Sequence, residues 1–326
     1  MKRLTVTLTA VLFLLTSLVS SPVSAQSPEA TASAPRTQYP LTIENCGSPL
    51  TFAAAPTGVI TLANNTTEIM LALGLEDHMA GIVGKINKLD LDLQARATSV
   101  TIVAETAFPY PSREVILEAN PDFLLSGYGG DFTENAYGSR EYYADQNVAT
   151  FYMTDSCGSG DRITLEDTYT DILTLGQIFD VQDRAQALVA SMQATAGDYV
   201  SDDPVSVFVF SGDTVDSTAT IGGAQLLSDL VYRAGGENIF GDLDEAWMPE
   251  SSMEEILAHD PDFIVITQYA AIDPDDIIAY WKQDPIMSQL SAVQNDRIVV
   301  ISTTWTVPSI HNGDAIRKMH DAFYGN

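Results

Sequence analysis

The sequence predicts an α/β protein of two lobes, each built on a parallel sheet, joined by a single long helix and leaving a ligand cleft between the lobes. Three observations predict it. Strand-like apolar runs such as Val205 to Phe210 alternate with helical segments along the chain, the order of a parallel sheet covered on both faces. The stretch from Val181 to Val200 carries Val181, Ala185, Leu188, Val189, Met192, Ala196 and Tyr199 at helical spacing, with Asp180 in the N-cap position. At about 1.5 Å per residue such a helix reaches roughly 30 Å, enough to pass from one compact body to another. On its two sides the chain contains the same helix, turn and strand: PSREVILEANPDFLL and ESSMEEILAHDPDFIVI match at one offset, 254 − 114 = 140. The matches are Ser112 and Ser252, Glu114 and Glu254, Ile116 and Ile256, Leu117 and Leu257, and both Pro-Asp-Phe triplets.

Taken in order, residues 1–25 read as a secretory signal peptide. Lys2 and Arg3 precede an apolar run from Leu4 to Val19, and Val23-Ser24-Ala25 is a small-residue cleavage site, so the mature chain is expected in the periplasm or otherwise outside the cytoplasm. Residues 26–38, rich in Ser, Ala, Thr and Pro, form a flexible leader. The first lobe covers 39–180, the connecting helix 181–200, and the second lobe 201–326. In the first lobe Val59 to Ala63 is a strand, Asn64-Asn65-Thr66 a break, and Thr67 to Leu73 a helix ended by Gly74. Ala80 to Val83 is a second strand, and Asn87 to Ser99 is polar without a clear period. Ser112 caps a helix that Pro121 stops, and Phe123 to Ser126 follows as a strand. Ser139 to Gln146 and Leu165 to Ile178 are helices, with a strand from Val148 to Met153 between them. The second lobe opens with Val205 to Phe210, continues through a helix ended by Gly235-Gly236, and reaches the repeated unit at Ser252. A helix from Asp275 to Gln283, a strand from Arg297 to Ile301 and a helix from Asn312 to Phe323 close it.

Charge excludes two classes of partner. The 326 residues hold 15 Lys plus Arg against 44 Asp plus Glu, a formal charge of −29, which argues against binding nucleic acid or an anionic membrane. The two cysteines of an exported chain most simply pair, Cys46 with Cys157. There is no G-x-S-x-G elbow, P-loop, H-E-x-x-H or C-x-x-C, and the four histidines stand apart, so no catalytic residue, metal site or cofactor is assigned.

Ligands of open α/β folds bind at the carboxyl ends of the strands. The loops there supply the candidates Asn64, Asn65, Tyr110, Tyr128, Trp247, Tyr269, Trp305 and His311. Packing between lobes is the competing role for Trp247 and Trp305. These loops hold aromatic faces and amides but neither Arg nor Lys, which favours a neutral or cationic ligand over one with several negative charges.

The segments TEIMLALGLED, PSREVILEANPDF, AGGENIF and SSMEEILAHDPDFIVIT together resemble the periplasmic binding proteins for ferric siderophores, haem and cobalamin that serve ABC importers. The resemblance covers the chain from about Tyr39 to its end. It implies two Rossmann-like lobes on one helix, a shallow cleft that closes little, and a monomer that delivers an iron chelate to an ABC permease and its ATPase. It also implies that Glu114 and Glu254, one per lobe, dock against arginines of that permease. The chain departs from the pattern at TWTVPSIHNGD, where siderophore binders often carry arginine and this sequence has none before Arg317. Haem, cobalamin or a free metal ion are alternative ligands, and a secreted α/β hydrolase is the alternative of another class.

Overall fold

A computed structural model describes residues 35–158, 160–268 and 272–325. The signal peptide, most of the leader and Tyr269 lie outside the described residues. The ordered chain starts earlier than composition suggested. Thr37 donates its N–H to Asp180 Oδ1 at 2.8 Å and its hydroxyl to Gln177 O at 2.6 Å, and Arg36 pairs with Asp180.

An antiparallel hairpin of β1 (Leu41–Asn45) and β2 (Ser48–Phe52) comes first. Its two-residue turn is Cys46-Gly47, both at positive φ, as a tight hairpin turn requires. Cys46 is bridged to Cys157 with Cα atoms 5.1 Å apart, so the expected disulfide is present. Asn45 reinforces the tie, exchanging two hydrogen bonds with the backbone of Tyr152.

Two wholly parallel sheets follow. The first-lobe strands are β3 (Val59–Thr61), β4 (Met79–Val83), β5 (Ile102–Ala104), β6 (Phe123–Ser126) and β7 (Ala149–Tyr152). The second-lobe strands are β8 (Val205–Phe210), β9 (Gly236–Asn238), β10 (Phe263–Gln268) and β11 (Ile298–Ser302). Their orders are β5-β4-β3-β6-β7 and β11-β10-β8-β9. Reversing the second gives β9-β8-β10-β11, the same winding as β4-β3-β6-β7, so the 140-residue repeat extends to the topology of both lobes and only β5 lacks a counterpart.

The repeated Pro-Asp-Phe triplets have a structural job. Asp122 accepts from the backbone N–H of Thr57 at 2.8 Å and Gly58 at 2.9 Å, fixing the entry to β3. Asp262 accepts from the N–H and hydroxyl of Ser206, both at 2.9 Å, at the start of β8. Just before the triplets, Asn120 and Asp260 both adopt positive φ as their helices end. Each aspartate thus clamps the neighbouring strand, so both strands leave toward the same edge.

Strand alternation divides the core. Val207 and Val209 of β8 point to one face of their sheet, Phe208 and Phe210 to the other, the two-residue period of a strand. In the first lobe Val59, Phe123 and Leu125 join the same apolar cluster as Val207 and Val209, through side chains of helices Leu165–Ile178, Gln182–Ala196 and Asn312–Tyr324. One unbroken core therefore runs under both lobes. Each lobe has a further core on its outer face, built around Tyr137 and Tyr143 in the first and Phe210 and Trp281 in the second.

The connecting helix is shorter than its periodicity predicted. It spans Gln182–Ala196, not 181–200, because Gly197 takes φ 65° and ends it even though Tyr199 continues the apolar period. Asp180 is not its N-cap: its carboxylate is occupied by Thr37 and Arg36, and its own φ is 55°. Helix Leu165–Ile178 lies across the connecting helix so closely that a Cβ on Gly176 would stand 2.5 Å from Cβ of Ala185.

Candidate functional site

Asn64 and Asn65 do not break the chain after β3 but form the first turn of helix Asn64–Ala72. Asn65 is wholly buried and donates from Nδ2 to Pro308 O at 2.9 Å, across 243 residues of sequence. This bond joins the helix that follows β3 to the loop that follows β11, so the two lobes touch beyond the carboxyl ends of these strands. Asn65 Oδ1 has no hydrogen-bond partner. Gly127, after β6, closes over that amide, and a Cβ there would lie 2.4 Å from Nδ2. Asn64 donates to Lys85 O at 3.1 Å.

A second contact between the lobes lies one helical turn further on. His311 presents Nε2 to Glu68 Oε2 at 3.5 Å and Nδ1 to Asp314 Oδ2 at 3.3 Å. Glu68 is buried and also accepts from Asp90 N at 2.6 Å. The imidazole stacks on Trp305, with ring centroids 5.3 Å apart and planes at 21°. Burial by itself depresses the imidazole, but its contacts with Glu68 and Asp314 outweigh that and raise its pKa above the usual histidine value. Asn312 staples the loop by donating to Trp305 O and Val307 O, both at 2.8 Å. Asn65, Trp305 and His311 are thus brought together at the lobe junction.

Tyr110 and Tyr128 belong to a second group in the first lobe. Phe108, 79% exposed, meets Tyr110 edge-on at 5.9 Å, and Tyr110 meets the buried Tyr137 at 5.0 Å. A ladder of rings therefore runs from the surface to the core. Ser126 donates to Asp131 Oδ2 at 2.6 Å and to Tyr128 O at 3.1 Å, holding the Gly129-Gly130 loop. Burial pushes the Asp131 carboxyl up to about 7, and burial followed by the charge of Asp131 raises the Tyr110 phenol.

Asp171 is similarly buried, beneath Thr154, whose N–H and hydroxyl it accepts at 2.6 and 2.7 Å, and burial lifts it to about 7. Carboxyl groups raised in this way bind a proton more tightly folded than unfolded. Their contribution favours the fold at pH values below the ordinary carboxylate range and is lost as pH rises through about 7. The melting temperature is therefore expected to fall from about pH 5 to about pH 8 in calorimetry, and a melting temperature that rises over that span would contradict the assignment.

In the second lobe Trp247 is 56% exposed. Its neighbour Met248 exchanges two backbone bonds of 2.9 Å with Thr220, whose hydroxyl donates to Val209 O, so Trp247 stands beside the carboxyl half of β8. It makes no ring contact with Trp305 or His311 among the described residues. At the repeat offset Phe108-Pro109 corresponds to Met248-Pro249, so each lobe carries an exposed aromatic residue a few positions ahead of its repeated helix.

Glu114 and Glu254 occupy the first turns of helices Arg113–Glu118 and Met253–His259, capped by Ser112 and Ser252. Both are exposed. Ser112 holds the Glu114 carboxyl below its usual range, and Ser252 donates to Glu254 Oε2 at 3.2 Å.

The sequence reading missed the loop after β4. Lys85 and Lys88 flank the turn Ile86–Lys88 there, both exposed and with no ion pair among the described residues. That loop holds Gly84 but none of the aromatic residues that marked the other loops. Two guanidinium groups on first- and second-lobe helices are engaged elsewhere: Arg140 donates to Asn45 and Thr150, and Arg233 pairs with Asp229 and Glu166. A hollow of about 500 Å³ beside Tyr232 and His259 lies along the free edge of β9.

Comparison with known proteins gives consistent results. Residues 59–303 match the family described as periplasmic binding protein. The chain is 26% identical over 233 residues to the vitamin B12-binding protein of Yersinia pestis, which is 70% of this chain and 75% of that protein. A periplasmic binding protein from Veillonella parvula superposes with a TM-score of 0.77 at 24% identity, covering 88% of this chain and 98% of the other. An ABC-type Fe3+-hydroxamate transport system protein from Saccharomonospora viridis superposes with a TM-score of 0.76 at 27% identity, covering 88% and 100%.

Proposed function

The chain belongs to the periplasmic binding protein family, and from that premise we propose that it captures a ferric hydroxamate chelate, neutral or cationic, and delivers it to an ABC permease and its ATPase. Members of this family bind small ligands outside the cytoplasm and are not enzymes. Among the described residues no helix is long and apolar enough to cross a membrane. The protein acts as a monomer whose cleft is lined by Tyr110, Tyr128, Trp247 and Trp305, with Asn64 at its rim.

The observation that carries the ligand class is the make-up of the strand ends. They offer rings and amides, and among the described residues the cations placed there without an ion pair are Lys85 and Lys88 on one rim. Two exposed lysines do not neutralise several charges buried between lobes, and each unpaired buried charge costs several kcal/mol. The 27% identity to the Fe3+-hydroxamate protein supports the same reading. Cobalamin is the second reading, favoured by the 26% identity to a vitamin B12-binding protein.

Titrating tryptophan fluorescence with a ferric trishydroxamate, a ferric tricatecholate and cyanocobalamin tests the choice. The hydroxamate is expected to bind tightly with little dependence on salt. Catecholate binding that weakens with salt, beside no hydroxamate binding, would show that the sign of the cleft has been misjudged.

A further inference from the structure

His311 was placed in the cleft by its position after the Trp305 loop, yet both its ring nitrogens face carboxylates, and it has only its ring face to offer. That face is covered by Trp305 at 21° and 5.3 Å. The two carboxylates come from different parts of the fold: Glu68 from the first-lobe helix Asn64–Ala72, Asp314 from the second-lobe helix Asn312–Tyr324.

We propose that His311 is a positioning residue for Trp305: held as an imidazolium between Glu68 and Asp314, it fixes the angle of the indole in the cleft and makes ligand affinity fall as pH rises. The proposal rests on the reading of Trp305 as a ligand-facing residue.

The groups that act on the imidazole can be named. On helix Asn64–Ala72 only Glu68 faces it, and its second oxygen is fixed by Asp90 N. On helix Asn312–Tyr324 Asp314 faces it, shared with Arg317 Nη2 at 2.8 Å, which weakens its hold on the imidazole. From helix Thr303–Thr306 the neighbour is Trp305, which has no charge. Glu68 is the stronger anchor because it is buried and has no cation of its own. Loss of the imidazolium proton leaves the ring one N–H for two carboxylates: kept on Nε2 it still donates to Glu68, and Nδ1 then turns a lone pair toward Asp314 Oδ2. The cheapest relief is rotation or withdrawal of the ring, and the stacked indole loses its backing.

The raised pKa places the change within reach of ordinary buffers. The direction follows from the sign. A histidine raised by its partners is charged, and the junction intact, at lower pH; both are lost as pH rises through the raised value.

A protonated imidazole against an indole quenches its emission, so the junction reports on itself. The difference in fluorescence between the native protein and W305F isolates Trp305 from Trp247 and Trp281. It is expected to brighten with rising pH at a midpoint above 6.5. H311Q removes that titration, and E68Q moves it to lower pH. Calorimetric affinity for a ferric trishydroxamate is expected to weaken about tenfold across the same transition, the change produced when ligand binding raises the imidazole pKa by about one unit. A Trp305 titration that survives in H311Q, or an affinity flat across the transition, overturns the role given to His311. W305F that keeps full affinity overturns instead the ligand reading beneath it. Should H311Q fail to fold, E68Q decides the matter alone, because an unmoved midpoint removes the coupling.

Discussion

Replacing Cys46 and Cys157 by serine is expected to lower the unfolding free energy by about 4 to 5 kcal/mol, the chain-entropy value for a loop of 111 residues. The native hairpin should survive the change. Asn45 holds the backbone of Tyr152 on both sides, and Arg140 donates to Asn45 O at 3.0 Å and to Thr150 O at 2.9 Å. The loss therefore falls on the denatured ensemble, which gains freedom when the link is cut. Urea melts of the native and double-serine proteins decide it. A midpoint lowered without change of slope fits the account, whereas a loss below about 1 kcal/mol would show that the reduced chain is already constrained when unfolded.

Converting Glu114 and Glu254 together to alanine is expected to leave ligand affinity intact and to weaken delivery to the permease. Both side chains are exposed at the first turn of helices that the repeat places equivalently, each accepting from the serine two residues earlier. A carboxylate at a helix start contributes about 0.3 to 1 kcal/mol, so the fold loses little. A partner with matching arginines on two related subunits loses two charge-assisted contacts at once. Uptake of labelled chelate by cells carrying the double variant, beside calorimetry on the purified protein, separates the two properties. Normal uptake, or lost binding, would refute the docking role.

Local chemistry was legible in the sequence where it was strong. Val205 to Phe210 and Leu165 to Ile178 stand where their apolar runs and caps placed them, and the 140-residue offset foretold that one winding is used twice. Strand β9 was missed because three residues, the first of them the second glycine of Gly235-Gly236, carry no alternation to read. Asn64 and Asn65 were taken for a break because asparagine marks turns, although it equally suits the first turn of a helix. The site was less legible than the fold for a physical reason. Whether Asn65 meets a ligand or Pro308, and whether His311 is free or held by Glu68, depends on groups more than 200 residues away in sequence, which no local period reports. Lys85 and Lys88 could have been found by asking which cations of an acidic chain sit just after a strand.

The apolar layer that runs unbroken beneath both lobes makes the molecule mechanically stiff. Swinging the lobes apart would have to shear side chains such as Val189, Met192 and Phe323 past one another in a close-packed interior. Cargo held above such a floor is expected to stay for as long as its own contacts last. The work of ejection is then expected to come from the ABC transporter permease with which members of this family function.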